Sequence, residues 1–483
     1  MSENLSPQLP LGDFSAFSTL SQSLSFHSSP ESFISSRARD ASLRLSQQAP
    51  SGTEASPSWT AHAKILNRNV AVLASHQMCE HVLKVGSGEH QTSITAAARE
   101  QKLGLDTFAV RPAYHQLMSD FFPSPNLLLV DHPDHLPKRK LWEEHLSALS
   151  VDSSQAIQEI ADGHFSDWHH GEQIDLYESM KDLSWRVLLK VFLRLSPSDK
   201  SYALVESLQE DLLRGQFSLI PMSINTGFWR SPRSKGIEAR QKLQQFLKDH
   251  VSSQDAACPF LRPENLDKEE ICANTLLFTS SIAVRALASL LTASILNLFL
   301  SPYEPSLAAR VRAEDATTRP ILLNSILLET ERLSPPVVGV MRRVQQDIVV
   351  ESPEGQPPTL IPAGWDIWLY FVGAARDDTA YEIADKFVPE RFISEAATKP
   401  GYAFGSGSKS CLARHLVRQI IGSVASAALA GNFEVDGSVK ADGVRGWLGW
   451  DTGVSAEAFA RDLKQLPCQR PKDPILVRID RGL

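Results

Sequence analysis

The stretch Phe404-Gly405-Ser406-Gly407-Ser408-Lys409-Ser410-Cys411-Leu412-Ala413-Arg414 decides how the rest of this chain is read. Its two glycines allow positive φ values and hence a tight loop. A lone cysteine ends that loop. Directly after it an amphipathic pattern begins, carried by Leu412, Leu416, Ile420, Ile421, Val424 and Leu429, which predicts a helix from about 411 to 429. A sulfur at a helix N-terminus sits among unpaired N–H groups at the positive end of the helix dipole, which favours the thiolate. The plainer alternative is a buried structural cysteine beside a glycine turn. The other cysteines, Cys79, Cys258, Cys272 and Cys468, are scattered without a C-x-x-C pair. That pattern suits free, packed thiols in a reducing compartment.

Working outward, Glu329-Thr330-Glu331-Arg332 puts a carboxylate and a guanidinium at i and i+3, on one helix face. Pro389-Glu390-Arg391-Phe392 lies between it and Cys411. Further upstream, Asp131-His132-Pro133-Asp134-His135-Leu136-Pro137-Lys138-Arg139 sets His135 and Arg139 four residues apart, again on one face once helical. Arg342 and Arg343 follow the Pro335-Pro336 helix stop. Taken singly, each cluster is accounted for by a solvated charged surface.

In this order, the clusters resemble the cytochrome P450 family, whose haem loop follows F-x-x-G-x-x-x-C-x-G. Phe404, Gly407 and Cys411 match that loop. Lys409 stands where the family usually has Arg or His, and Ala413 replaces the last Gly. Lysine can still neutralise a carboxylate as a point charge, without a fork of donors. The resemblance spans about 131 to 414 and implies a mainly α fold: one large helical domain with a small β lobe on its N-terminal side. It implies haem b as cofactor, with Cys411 as the axial thiolate ligand of the iron. Such a ligand donates electron density and favours O–O cleavage. Phe404, Gly405, Lys409 and Ala413 would line the haem. His135, Arg139 and Arg342, with Arg343 as fallback, would hold its two propionates, since buried carboxylates demand cations or donors. Glu329, Arg332 and Arg391 would form a buried structural triad.

Leu276 to Leu300 (LLFTSSIAVRALASLLTASILNLFL) is long enough to span a membrane. Arg285 and the interspersed Ser, Thr and Asn residues instead predict one long helix buried in a large core. In monooxygenases of the family this helix carries a small-Gly-x-acid-Thr run that delivers protons. Here Thr279 and Ser280 fall at the small-Gly positions, Ile282 at the acid and Ala283 at the threonine. Asp and Glu are absent from Cys272 to Leu300. Thr279, Ser280, Ser281 and Ala283 are therefore the candidate catalytic positions of a site that lacks the usual acid–alcohol pair. Arg285 is about 140° around the helix from Ser280 and so faces elsewhere.

The remaining chain agrees with this frame. Its 483 residues carry a net charge of −8, which argues against a nucleic-acid partner. Residues 1–59 are rich in Ser and Pro and resemble neither a signal peptide nor a membrane anchor; part of this segment is expected to be disordered. Residues 60–483 read as a single domain. Helical patterns cover Ser75–Val85, Ser153–Trp168, Met180–Leu195, Gly236–Val251 and Thr318–Leu333. Strand-like runs cover 62–74, Val337–Val344, Asp347–Val350, Trp365–Phe371 and Ile475–Ile479. The expected protein is a soluble, cytoplasmic haem-thiolate oxidoreductase of specialised metabolism. It would take a lipophilic small molecule in a cavity framed by 86–130, 215–232 and 278–287, with a reductase as candidate partner. The alternatives are a peroxide-dependent or redox-neutral haem enzyme and a non-catalytic haem sensor or carrier.

Overall fold

Strand alternation builds the small lobe. β1 (Thr60–Ile65) pairs antiparallel with β2 (Arg68–Leu73), and α1 (His76–Val85) follows. The chain continues through β3 (Phe108–Ala109), α2 (Arg111–Met118), the long α3 (His135–Ser166), β4 (Gln173–Asp175), α4 (Leu176–Leu193), α5 (Lys200–Gln216) and α6 (Pro232–Ser252). Next come α7 (Lys268–Phe278), α8 (Ser281–Phe299), α9 (Leu307–Ala313) and α10 (Thr318–Leu333). The last part holds β5 (Gly339–Val344), β6 (Ile348–Val350), β7 (Thr359–Ile361), β8 (Asp366–Tyr370), α11 (Phe371–Ala375), α12 (Arg414–Ala430), β9 (Phe433–Asp436), α13 (Ala456–Arg461) and β10 (Leu476–Arg481). The computed structural model describes residues 7–10, 21–22, 25, 33, 36, 60–65, 68–85, 103–218, 222–226, 228–253, 266–351, 358–394, 399–438, 454–461 and 468–481. Most of 1–59, residues 86–102 and Cys258 lie outside the described residues.

The main sheet has the order β1-β2-β8-β5-β3, so the lobe combines N-terminal strands with strands from beyond α10. Successive side chains of a strand face opposite ways, which gives the sheet two apolar faces. Ala71, Leu73, Val344, Ile367 and Leu369 pack on one side with Met78, Cys79 and Val82 of α1. Val70, Val72, Met341, Trp368 and Tyr370 pack on the other, together with Phe33. Two more residues of the N-terminal segment dock on β structure: Gln8 bridges to Thr359, and Gln22 Oε1 accepts from the Lys64 amide at 3.0 Å.

The helical body surrounds α8. This helix is apolar and long enough to cross a membrane, yet Val284 and every residue from Leu287 to Phe299 are buried, against α4, α10 and α12. The one helix predicted across 276–300 is in fact two. α7 ends at Phe278, Ser280 is extended (φ −70, ψ 152), and α8 starts at Ser281. Local hydrogen bonds explain the break. Thr279 Oγ1 donates to the Thr275 carbonyl at 2.8 Å, and the Ser280 hydroxyl accepts from the Ala283 amide at 3.3 Å, capping the second helix.

Beneath α10 lies the triad. Arg332 Nε and Nη2 each donate to a Glu329 carboxylate oxygen at 2.7 Å, and Arg391 Nε reaches the same carboxylate at 3.0 Å. Glu329 and Arg332 are fully buried there. The Val388 amide donates to Glu329 at 2.9 Å. Arg332 also donates to the carbonyls of Ala375, Ala384 and Lys386. The remaining charge is thus satisfied by the segment that leads toward Cys411.

Candidate haem-thiolate site

Gly405 (φ 65) and Gly407 (φ 69) both take the left-handed conformation that their loop requires. The Cys411 amide donates to the Phe404 carbonyl at 2.7 Å and closes the loop on itself. The Cys411 side chain is exposed and lines a cavity of about 420 Å³. Burial raises its thiol pKa, while a hydrogen bond from the Ala413 amide and the charges of Arg139 and Arg414 pull it down. The helix-terminal placement therefore supplies the donors that favour thiolate, against the cost of burial.

Phe404, Gly405, Lys409 and Ala413 line this cavity beside Cys411, and so do His135, Arg139 and Arg342. A smaller cavity of about 30 Å³ adjoins the cationic side, lined by His135, Arg342, Ser406, Ser408 and Lys409 among others. The choice between Arg342 and Arg343 is made by β5. Arg343 lies on the sheet face with Met341 and pairs with Asp366 at 2.6 Å, where Arg68 also reaches Asp366 at 3.0 Å. Arg342 lies on the opposite face and is buried, with Nη1 donating to its neighbour's carbonyl, Met341, at 2.8 Å. Among the described residues no carboxylate lies within ion-pair distance of Arg342. Burial accordingly lowers its pKa.

The other cations are more engaged. Arg139 donates to the Ser410 carbonyl (2.7 Å) and hydroxyl (3.1 Å), tying α3 to the cysteine loop, and pairs with Glu143 at 2.7 Å. Lys409 turns its ammonium to the carbonyls of Val130 and Leu127, with Asp131 at 3.7 Å; burial brings its pKa down to about 8. Burial beside Lys409, Arg139 and Arg342 drives the His135 imidazole pKa down to about 3, so it is neutral near pH 7. A buried guanidinium with no carboxylate within ion-pair distance, close to Lys409 and Arg139, is costly unless an anion joins it. Two carboxylates carried on an otherwise apolar group would meet that demand. The residues present fit a haem, with Arg342 the side chain best placed to meet a propionate.

Of the four distal candidates, the structure brings two to the cavity. Ala283 and Ser280 line it, alongside Ile282, Ala286, Leu287 and Leu290. Thr279 and Ser281 do not: their hydroxyls bond the Thr275 carbonyl and Glu210, on the far side of the break. The extended Ser280 between the two helices separates these neighbours, so the three hydroxyls do not share one wall. Arg285 does face elsewhere, pairing with Glu210 at 2.7 Å. The sequence reading overlooked Tyr114, which lines the cavity and accepts from the Met341 amide at 2.9 Å. It also overlooked Ser410, although that residue adjoins Cys411.

Removing the Arg342 charge tests the fit. Arg342→Leu is expected to weaken haem retention by about 1.5–3 kcal/mol, roughly ten- to 150-fold in affinity. Haem transfer to an acceptor apoprotein measures this, and a transfer rate equal to that of the parent would contradict the assignment.

A cysteine sulfur, a cationic rim and an apolar distal wall thus meet at one cavity within a mainly helical body. The family model "Cytochrome P450" matches residues 309–438. Over 381 residues the chain is 24% identical to cytochrome P450 26B1 of Bos taurus, covering 70% of this chain and 68% of the relative. Putative cytochrome P450 120 of Synechocystis is 23% identical over 320 residues, covering 61% and 70%. Among solved structures, retinoic acid bound cyanobacterial CYP120A1 superposes with TM-score 0.65 at 20% identity, covering 91% of this chain and 94% of that one. Cytochrome P450EX alpha (CYP152N1) with myristic acid gives 0.64 at 15% identity, covering 95% and 97%. The chain thus matches the cytochrome P450 family model over residues 309–438 and shares the fold of solved cytochrome P450 structures.

Proposed function

We propose that this protein is a haem-thiolate oxidoreductase acting on a lipophilic small molecule, with haem b ligated through Cys411 and its propionates met by Arg342, Arg139, His135 and Lys409. The supporting observation is that the Cys411 sulfur and these four side chains share one cavity, whose remaining lining is dominated by apolar residues such as Leu188, Phe192, Phe278 and Val337. A lipophilic substrate matches that lining, and two fold neighbours were solved with retinoic acid and myristic acid. A thiolate-ligated haem bound here supplies the iron at which oxidation takes place. The chain's own residues do the rest. Phe192, Phe278 and Leu287 bury substrate and exclude water, while Arg139 locks the cysteine loop to α3 through Ser410.

Proton handling sets this site apart. Ile282 and Ala283 occupy the positions where an acid and an alcohol would face the cavity, and neither can carry a proton. Ser280 presents a hydroxyl whose oxygen already accepts from Ala283, leaving its hydrogen free to donate. This favours unconventional proton delivery, with peroxide-dependent or redox-neutral catalysis as the second reading. Three incubations of the purified protein with a lipophilic compound library separate them. Conversion under NADPH with a reductase supports the first. Conversion only with peroxide, or in the ferric protein with no oxidant or reductant, supports the second. No conversion in any regime, with haem intact, would favour a sensor or carrier.

A further inference from the structure

The distal helices carry no carboxylate between Cys272 and Leu300, yet one reaches the break between them from another helix. Glu210 of α5 accepts from the Ser281 hydroxyl at 3.1 Å through Oε1 and from Arg285 at 2.7 Å through Oε2. Its side chain is 17% exposed, whereas Ser280 and Ser281 are each 1% exposed, so Glu210 stands between solvent and the buried hydroxyls. The preceding residue holds the other lip of the break. Gln209, fully buried, donates from Nε2 to the Leu276 carbonyl (3.2 Å) and to Thr279 Oγ1 (3.3 Å). That carbonyl is one the interruption of the helix ladder sets free. Gln209 Oε1 and Thr275 Oγ1 are buried with no protein partner and keep hydrogen-bonding capacity at the same place. Beside Ser281 in the chain, Ser280 opens on the cavity.

We propose that Glu210 is the acid of the distal side, supplied by α5 in place of the carboxylate missing from the distal helices, and that the hydroxyls of Ser281 and Ser280 connect it to the cavity. This deepens the haem-thiolate reading and rests on it. Glu210 takes one proton from solvent; once protonated it donates to Ser281 Oγ, reversing the bond in which it now accepts, and Ser281 releases its own hydrogen inward. A water at the break passes that proton to Ser280, whose hydroxyl gives one to the cavity. One proton enters for each that leaves, and no electron moves. Glu210 acts through the two serines and is in that sense a positioning residue. Arg285 fixes the second carboxylate oxygen and so aims the first at Ser281. The ion pair also ties α5, which lies over the break, to the start of α8.

The test compares Glu210→Gln, which keeps an acceptor for Ser281 but loses the acid, with Glu210→Asp, which keeps the acid. Ser281→Ala, which leaves the Arg285–Glu210 pair untouched, serves if Glu210→Gln does not fold. Each is first reduced and exposed to CO. A thiolate-type band in parent and variants shows that fold and haem site are intact, whereas its absence from the parent points to failure of the haem-thiolate reading instead. The infrared difference spectrum on photolysis of bound CO then reads the carboxyl directly. A carboxyl or carboxylate band is expected in the parent and in Glu210→Asp, and is expected to vanish in Glu210→Gln. Reductant-driven turnover of Glu210→Gln should divert at least about tenfold more of its electrons to hydrogen peroxide, a conservative reading of the roughly 10²–10⁴-fold by which positioned general acids speed proton transfer. An unchanged infrared spectrum and an unchanged peroxide fraction, with the thiolate band present, would overturn the proposal.

Discussion

Arg332→Ala is expected to lower the unfolding free energy by about 3–5 kcal/mol, the cost of leaving a buried charge unpaired. Net stabilities of about 5–15 kcal/mol leave little margin for such a loss. The effect is large because Arg332 does several jobs at once. It neutralises Glu329 through two hydrogen bonds of 2.7 Å, and it satisfies the carbonyls of Ala384 and Lys386 at 2.7 and 3.0 Å. Arg391 remains beside Glu329, but its own guanidinium is also committed to the Glu382 carbonyl at 2.7 Å. A denaturant midpoint equal to that of the parent would show that the triad is dispensable. Glu329→Gln should fall between the two, since it keeps the shape and loses the charge.

Cys411→Ser should cost more in function than in stability. The serine hydroxyl can still accept from the Ala413 amide, and the loop is held independently by the Cys411 amide to Phe404 carbonyl bond of 2.7 Å. Folding should therefore survive. Changes in groups that merely support a metal ligand cost about 10–100-fold, so loss of the ligand itself should lower turnover by more than ~100-fold. A variant that retained parental turnover would remove Cys411 from the chemistry.

Much of this was legible because it is local. The glycine positions fix the cysteine loop within a few residues, and both adopt the positive φ that their placement suggested. The i, i+3 spacing of Glu329 and Arg332 is a property of any helix, and the structure adds the burial that turns it into a structural pair. Among the helices, α10 spans Thr318–Leu333 as its pattern indicates. What escaped depended on partners distant in sequence. Arg342 and Arg343 are adjacent, and only the sheet register, which places Asp366 opposite Arg343, assigns one to the cavity and the other to an ion pair.

The distal break is the instructive miss. A continuous apolar run predicted one helix, with no Gly or Pro to interrupt it. The Thr279-Ser280-Ser281 cluster did hold a signal, since Ser is a favoured cap for a new helix. The chain pattern does not show the contribution of Gln209, seventy residues before Thr279, whose amide bonds the freed carbonyl. Glu210 was invisible for the same reason: nothing along the chain marks a glutamate in α5 as the partner of a serine in α8.

The decisive measurement is the absorption spectrum of the purified, reduced, CO-bound protein. Sulfur ligation at position 411 requires the strongly red-shifted band of a thiolate-bound haem, lost in Cys411→Ser. A band characteristic of imidazole ligation, or a folded protein that takes up no haem, would contradict it.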